Sequence, residues 1–276
     1  QDLQGDSKLS DLIQSNRSQF LDWINYFSNG KLKFNLDFIE HWVRLPNKSA
    51  FYNQTNYDLT QGQKDITRIA QLYVDEITKE IDLRKYRTIF VLYPSNQNVI
   101  FTDLVPRSVE FKIKEGTRTM SFFADPAGYD HDMQTPPWVF WLHEIGHDWG
   151  LLGHAPGNGW PVGLMTNQAG LSVSLNAWER FLLTWMPDEL VFCDTKETLQ
   201  TSTIKLSPLE RADSNTKMIA IALDDHRLLV VEAHGIGKWT SRRTPQTYAF
   251  EKTGYYGLMA YVVDTKFSQS GAPPVN

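Results

Sequence analysis

The amino-acid sequence predicts an α+β fold, with helices in the first two-thirds of the chain and strands towards its end. Two segments, residues 9–27 and 63–82, repeat apolar side chains at the spacing of an amphipathic helix. A third, residues 138–152, opens with an apolar run and ends among glycines, and a fourth, residues 174–186, stops before a proline. We therefore expect four main helices.

Strands are predicted where short runs of β-branched, aromatic and aliphatic residues end in turn residues. The clearest run, RTIFVLY at residues 87–93, is followed by Pro94. The other predicted strands are residues 117–124, 190–192, 202–206, 218–222, 227–233 and 257–264. We therefore expect a mixed sheet in the first part of the chain and a β-rich C-terminal portion.

Composition excludes several classes of protein. The chain has 276 residues, of which 41% are hydrophobic, so it can bury a sizeable core. Its single cysteine, Cys193, excludes an internal disulfide framework and a Cys-rich zinc module. A formal net charge of −5 with no concentrated basic face argues against nucleic acid as a partner. No apolar run approaches the ~20 residues of a membrane span.

The motif that carries chemistry is HEIGH, which runs from His143 to His147 in the third predicted helix. Residues four apart project from the same side of a helix, so these two imidazoles can reach one metal ion. Glu144 lies at the edge of that site, where it can hold a metal-bound water. A lone histidine on an apolar helix is more often a core residue. Here the spacing, the apolar approach and a further histidine coincide, which favours a metal site.

Two or three imidazoles with an open position suit one Zn²⁺ ion in tetrahedral geometry. The ion lowers the pKa of its bound water towards ~7 and polarises a carbonyl group. Glu144 then accepts the proton of that water and passes it to the leaving amine. The motif therefore predicts metal-assisted hydrolysis, most naturally of a peptide bond.

The third zinc ligand has two candidates. Gly150 lets the chain leave the helix sharply, because glycine tolerates a positive φ, and the chain then turns back towards the metal with His154. The metzincin motif HExxHxxGxxH places its third ligand at the position of Gly153, so His154 comes one residue later. The rival is Glu179, a helical carboxylate 32 positions after His147. We favour His154.

Further residues around the expected site are less specific. Met165, in the sequence GLM, resembles the Met-turn that lies beneath the metal in metzincins. Several metzincins have a tyrosine two residues later, where this chain has Asn167. The donor that stabilises the oxyanion is therefore unassigned. The candidates for it are Tyr255, Tyr256 and His234.

These motifs resemble those of the immune inhibitor A-like family of secreted zinc metallopeptidases. The resemblance begins with HEIGHDWGLL and continues with GLMTNQAG and LNAWERFLLTWM. Upstream, the segment WINYFSNGKLKFNLDFIEHWVRLPNKSAFY is similar to the entry segment of the family. Downstream, RLLVVEAHG and YYGLMAYVVD are similar to two of its strands. Most of the chain is covered, at varying strength.

The resemblance implies a zincin-like fold, with His143 and His147 as zinc ligands and Glu144 as the catalytic base. On this interpretation residues 1–190 form the zincin-type catalytic region, and residues 191–276 form a β-rich subdomain packed on it. Family members are usually exported with a propeptide and often bind calcium, although no EF-hand-like loop here supports a calcium site.

We accordingly expect a secreted, monomeric endopeptidase that acts on proteins or peptides. The chain opens with QDLQGDSKLS, without a basic start or an apolar run, so we expect a mature chain lacking its signal and propeptide. Three glycosylation sequons, at Asn16, Asn47 and Asn53, give weak support for secretion.

Zincins commonly bind an extended peptide along an edge strand. Residues 118–123, just ahead of the HEIGH helix, are our candidate for that strand, and an interior strand is the alternative.

Two other functions remain open on the sequence alone. One is a non-catalytic zincin-fold module that binds a glycan or a protein surface and uses the metal structurally. The intact Glu144 counts against it, because a structural metal site does not need that carboxylate. The other is a zinc hydrolase of a non-protein amide or ester.

Overall fold

The computed structural model describes residues 3–5, 8–52, 62–94, 107–124, 137–151, 163–165, 173–235, 238–239 and 257–266. Over these residues the protein combines α-helices with two mixed β-sheets, which confirms the predicted α+β class. The helices are α1 (Leu9–Phe27), α2 (Ser49–Tyr52), α3 (Gly62–Ile77), α4 (Pro137–Asp148) and α5 (Ala177–Leu182). None of the helices in this part of the chain is long and apolar enough to cross a membrane.

The chain forms two compact units. The first comprises Gln1–Gln19 and Asn35–Glu144, and the second comprises Phe20–Phe34 and Ile145–Asn276. The border between the units passes through helices α1 and α4.

The first unit contains a three-stranded sheet with the strand order β1-β3-β2. Its strands are β1 (Thr88–Val91), β2 (Val109–Ile113) and β3 (Gly116–Ala124). Strand β3 pairs in parallel with β1 and forms an antiparallel hairpin with β2. Helix α3 covers this sheet because its apolar stripe, including Ile69 and Tyr73, is buried in one cluster with Phe111 and Phe122.

The sequence did not reveal β2, whereas the candidate peptide-binding segment does form a strand. Strand β2 has a single fully buried side chain, Phe111, so its apolar signal is weak. The candidate strand at residues 118–123 lies within β3, which pairs with β1 on one side and β2 on the other. Strand β2 pairs with residues 116–120 of β3 and β1 pairs with residues 121–124, so β3 is the central strand of the described sheet, in line with the alternative of an interior strand, although each half of it has only one paired edge.

The second unit contains a four-stranded sheet with the strand order β4-β5-β6-β7. Its strands are β4 (Val191–Thr195), β5 (Met218–Ala222), β6 (Arg227–His234) and β7 (Gly257–Asp264). Strands β4 and β5 are parallel, and the other pairs are antiparallel. Buried side chains of β5, β6 and β7 pack with Ala177 of α5 and with Met186, Leu190 and Leu209.

The predicted strand at residues 202–206 is absent, since this segment has irregular backbone. All five residues are exposed or only partly buried, so the segment has no buried face to hold against a sheet.

The helix ends also differ from the sequence prediction. Helix α5 is shorter than expected because it begins after Asn176 and ends before Thr184, whose φ of 58° stops it.

Candidate metal centre

Helix α4 carries the HEIGH motif and is fixed in the first unit at its N-terminal end. Pro137 is its first residue, where the missing N–H costs nothing and the fixed φ suits a helix. The backbone N–H of Trp138 donates to Oδ1 of Asn16, at 3.0 Å. Trp141 stacks on Phe90 of β1, with ring centroids 5.0 Å apart. The first turns of α4 are therefore buried between α1 and β1.

The helix brings the predicted site residues together. One ligand atom from each of His143, Glu144 and His147 lies within 4.8 Å of the other two. His143 and Glu144 are buried, at 0% and 4% exposure, and His147 is half-buried. The spacing therefore places two imidazoles and one carboxylate in a single cluster.

Helix α4 ends in a Schellman motif built on Gly150. The N–H of Leu151 donates to the carbonyl of Gly146 at 3.1 Å, and the N–H of Gly150 donates to the carbonyl of His147 at 3.0 Å. Gly150 has a φ of 89°, which side-chain-bearing residues rarely adopt. The predicted sharp exit at Gly150 is confirmed, although the helix ends at Asp148 rather than continuing to residue 152.

Met165 packs directly against this helix. Its sulfur lies 2.6 Å from the position that a Cβ atom on Gly146 would occupy, and its side chain is fully buried. The neighbouring Leu164 donates its N–H to the carbonyl of Ser174 at 2.9 Å. The methionine thus lies beside Gly146, between the two histidines, and a side chain at position 146 would have to displace it.

Of the two candidates for the third ligand, only Glu179 lies within the described residues. His154 lies outside the described residues. Glu179 is described, and it is not part of the cluster on α4. Instead its Oε2 accepts the N–H of Asn176 at 3.0 Å, while Oδ1 of Asn176 accepts the N–H of Glu179 at 3.0 Å. This is a capping box, and the Asn-x-x-Glu spacing could have predicted it.

Glu179 is also electrostatically unusual. Burial raises the pKa of its carboxyl group to about 8, and the nearby Glu232 adds to that rise. A hydrogen bond from Asn176 acts in the opposite direction but does not outweigh burial.

His234, one candidate for the oxyanion donor, is fully engaged elsewhere. Its Nδ1 lies 2.7 Å from Glu210 and its Nε2 lies 2.7 Å from Glu232, with 3% of the side chain exposed. Burial lowers the pKa of His234, but the two carboxylates outweigh burial and raise it to about 10. Because both ring nitrogens are committed to carboxylates, His234 is not available to an oxyanion, and that expectation was wrong. Tyr255 and Tyr256, the other candidates, and Asn167 lie outside the described residues.

The carboxylates around His234 form a buried network that sequence reasoning missed. Oε2 of Glu232 accepts the N–H of Ala177, at the start of α5, at 2.7 Å and the hydroxyl of Tyr261 at 2.9 Å. Oε2 of Glu210 accepts the N–H of Gly235 at 3.0 Å. The network joins α5 to strands β6 and β7, and no local sequence pattern signals pairs so far apart in the chain.

No family model matches the sequence, and neither a curated protein nor a solved structure matches it significantly. The likeness to the immune inhibitor A-like family therefore stays a prediction.

The donor set on α4 fits zinc. Two imidazoles at i and i+4 with a carboxylate between them are the ligand types of an open, catalytic zinc site, in which the carboxylate need not bind the metal.

Proposed function

We propose that this protein is a zinc-dependent endopeptidase with a zincin-type catalytic region. The observation that carries the proposal is the cluster of His143, Glu144 and His147 on one largely buried helix. Residue types, spacing and proximity all agree with the HExxH zinc site of metalloproteases. We further propose that the protein acts on proteins or peptides, is secreted and is a monomer. These parts of the proposal are supported by the sequence resemblance.

The imidazoles of His143 and His147 would hold the ion, with His154 as the proposed third ligand. Zinc bound there supplies a Lewis acid that polarises the scissile carbonyl group and acidifies water. Each imidazole must present a neutral nitrogen to the metal, so metal binding depends on these side chains being deprotonated.

Glu144 would move the proton during hydrolysis. Its carboxylate accepts a proton from the attacking water and returns it to the nitrogen of the leaving amine, so the same residue acts as base and then as acid. The cluster places the carboxylate within 4.8 Å of the ligand atoms of both histidines, so it lies close to where the water would be held. Its 4% exposure limits competition from bulk water.

The surroundings of the helix support a rigid site. Met165 and Leu151 pack near Gly146, so the backbone between the two histidines is held by buried contacts. The Schellman turn at Gly150 ends the helix directly after the second histidine. A site built on such a supported helix keeps its ligands in fixed positions.

The test compares wild type with Glu144→Gln, which preserves the size of the side chain and removes its basicity. Unfolded casein is incubated with each zinc-loaded protein, with and without a zinc chelator, and cleavage is followed by gel and mass spectrometry. We expect cleavage by wild type, its loss with chelator, and a fall of at least ~100-fold in Glu144→Gln.

The matched control is Glu110→Gln, which neutralises an exposed carboxylate on β2 and is expected to cleave normally. Absence of cleavage by zinc-loaded wild type across varied unfolded proteins would refute the endopeptidase proposal. Cleavage by Glu144→Gln at the wild-type rate would refute the role of Glu144.

A further inference from the structure

We propose that Asn16 is a positioning residue of the metal centre, because it caps the helix that carries His143 and Glu144. The catalytic consequence rests on the proposed function, whereas the cap itself is a direct contact between α1 and α4. The two residues it joins, Asn16 and Trp138, are 122 positions apart in the chain.

The side chain of Asn16 is held from both sides. Its Oδ1 accepts the backbone N–H of Trp138 at 3.0 Å, and its Nδ2 donates to the carbonyl of Leu12 at 2.9 Å. The orientation of the amide follows from chemistry, since an N–H requires an oxygen and a carbonyl requires an N–H₂ group. With 3% of the residue exposed, water does not replace either bond easily.

The cap acts where α4 needs an acceptor. The first N–H groups of a helix have no partner within the helix. Pro137, the first residue of α4, has no N–H, and the next N–H, that of Trp138, is the one that Asn16 receives. Asparagine is among the residues that cap helices best, although here it comes from another helix.

The position of the cap is transmitted to the site through a short, stiff element. His143 lies five positions after Trp138, which corresponds to about 7.5 Å of helix. Between them Trp141 is stacked on Phe90. The hydrogen bond to Asn16 therefore limits sliding of α4 along its axis, and the ring contact limits its rotation. A shift in the first turn is therefore passed to His143 and Glu144, both buried. Misplacement by about 1 Å is enough to cost much of a catalytic rate.

This contact also bears on whether the sequon Asn16-Arg17-Ser18 can be glycosylated. Glycosylation would modify Nδ2, which is the atom that donates to Leu12 inside the protein. Because only 3% of Asn16 is exposed, the folded protein leaves no room for a glycan on Nδ2, so the side chain of Asn16 serves the fold rather than modification. The sequon therefore gives no support for secretion.

The test uses the full chain and the variants Asn16→Ala and Asn16→Asp. Asn16→Ala removes both side-chain hydrogen bonds, whereas Asn16→Asp keeps the acceptor for Trp138, loses the donor to Leu12 and adds a negative charge that a helix N-terminus favours. The stability control is Ile69→Val, which loosens the core cluster around α3 in the same unit. Three quantities are measured: zinc affinity by competition with a coloured chelator, hydrogen exchange of the Trp138 amide, and kcat and KM on casein.

We expect Asn16→Ala to weaken zinc binding by at least ~10-fold, to speed exchange at Trp138 and to lower kcat more than it raises KM. Asn16→Asp should recover part of the zinc affinity, because it keeps the acceptor for Trp138 but not the bond to Leu12, and Ile69→Val should leave the affinity unchanged. If Asn16→Ala does not fold, Asn16→Gln displaces the same amide by one methylene and takes its place.

Wild-type zinc affinity in Asn16→Ala, or in Asn16→Gln where that variant replaces it, would overturn the proposal. An equal loss of zinc affinity in Ile69→Val would also overturn it. If wild type binds zinc but cleaves nothing, the endopeptidase function fails while the zinc affinities still decide the role of Asn16. If wild type binds no zinc, both proposals fail together.

Discussion

At the scale of single residues, the candidate site depends on two glycines, Gly146 between the two histidines of HEIGH and Gly150, the glycine of the HExxHxxG motif. Gly146 leaves space for the sulfur of Met165, and Gly150 supplies the positive φ at which α4 ends. The motif letters predicted the second role, because a glycine after a helical run is a common helix stop. They did not predict the first, since the packing of Met165 on Gly146 is a tertiary contact.

Replacing Gly150 tests the turn after the second histidine. We expect Gly150→Ala to lower the free energy of unfolding by about 1–2 kcal/mol, because an L-residue is strained at this φ of 89°. Asparagine tolerates positive φ better, so Gly150→Asn should lose less. Denaturant unfolding measures both variants, and equal stability of Gly150→Ala and wild type would contradict the turn geometry described here.

At the scale of elements, the sequence predicts best where one face of a segment is buried locally. Helix α1 has the predicted bounds, and strands β5, β6 and β7 lie where the sequence placed them. Strand β2 was not predicted, because Phe111 is its only fully buried residue and its apolar pattern is therefore weak. Helix α5 is short, and it depends on Asn176 and on the distant Glu232 for its N-terminal acceptors.

The buried carboxyl group of Glu179 in α5 should make stability depend on pH. Its folded-state pKa of about 8 lies above its ordinary value of 4.5, so the folded protein holds a proton that the unfolded chain releases. This contribution to stability is present in full below pH 4.5 and is lost as the pH rises to about 8.

The variant Glu179→Gln keeps an acceptor for Asn176 and cannot ionise. Relative to wild type, it should therefore gain stability between pH 5 and 8, by at most about 1.4 kcal/mol per pH unit. Unfolding of the zinc-free proteins across this range measures the difference. His234 and Glu210 hold opposite charges throughout this range, because their ion pair raises the pKa of His234 to about 10 and lowers the pKa of Glu210. A difference between the two proteins that does not change with pH would show that Glu179 is ionised in the folded state.

At the scale of the whole molecule, the sequence predicts local chemistry better than long-range partners. His143, Glu144 and His147 are brought together by one helical turn, and their spacing in the sequence predicts this. The contact of Asn16 with Trp138 and the enclosure of His234 depend on residues brought together only by the tertiary fold. For that reason the sequence offered His234 as a catalytic candidate when its ring is committed to two glutamates.

The third ligand is also a question of tertiary structure, and zinc content can decide it. His154→Ala should lose zinc if the proposed ligand set is correct. Glu179→Ala should retain it, because the carboxylate of Glu179 belongs to the capping box of α5. Loss of zinc in Glu179→Ala with full retention in His154→Ala would reverse this assignment.

The central claim is that the helix α4 histidines bind zinc, and metal analysis after equilibration with zinc and removal of the excess tests it most directly. We expect one zinc ion per chain in wild type, and loss of that ion in His143→Ala and in His147→Ala. The control His226→Ala, in the turn between β5 and β6, should keep it. Wild type without zinc, or full zinc content in both α4 variants, would show that these histidines do not bind zinc.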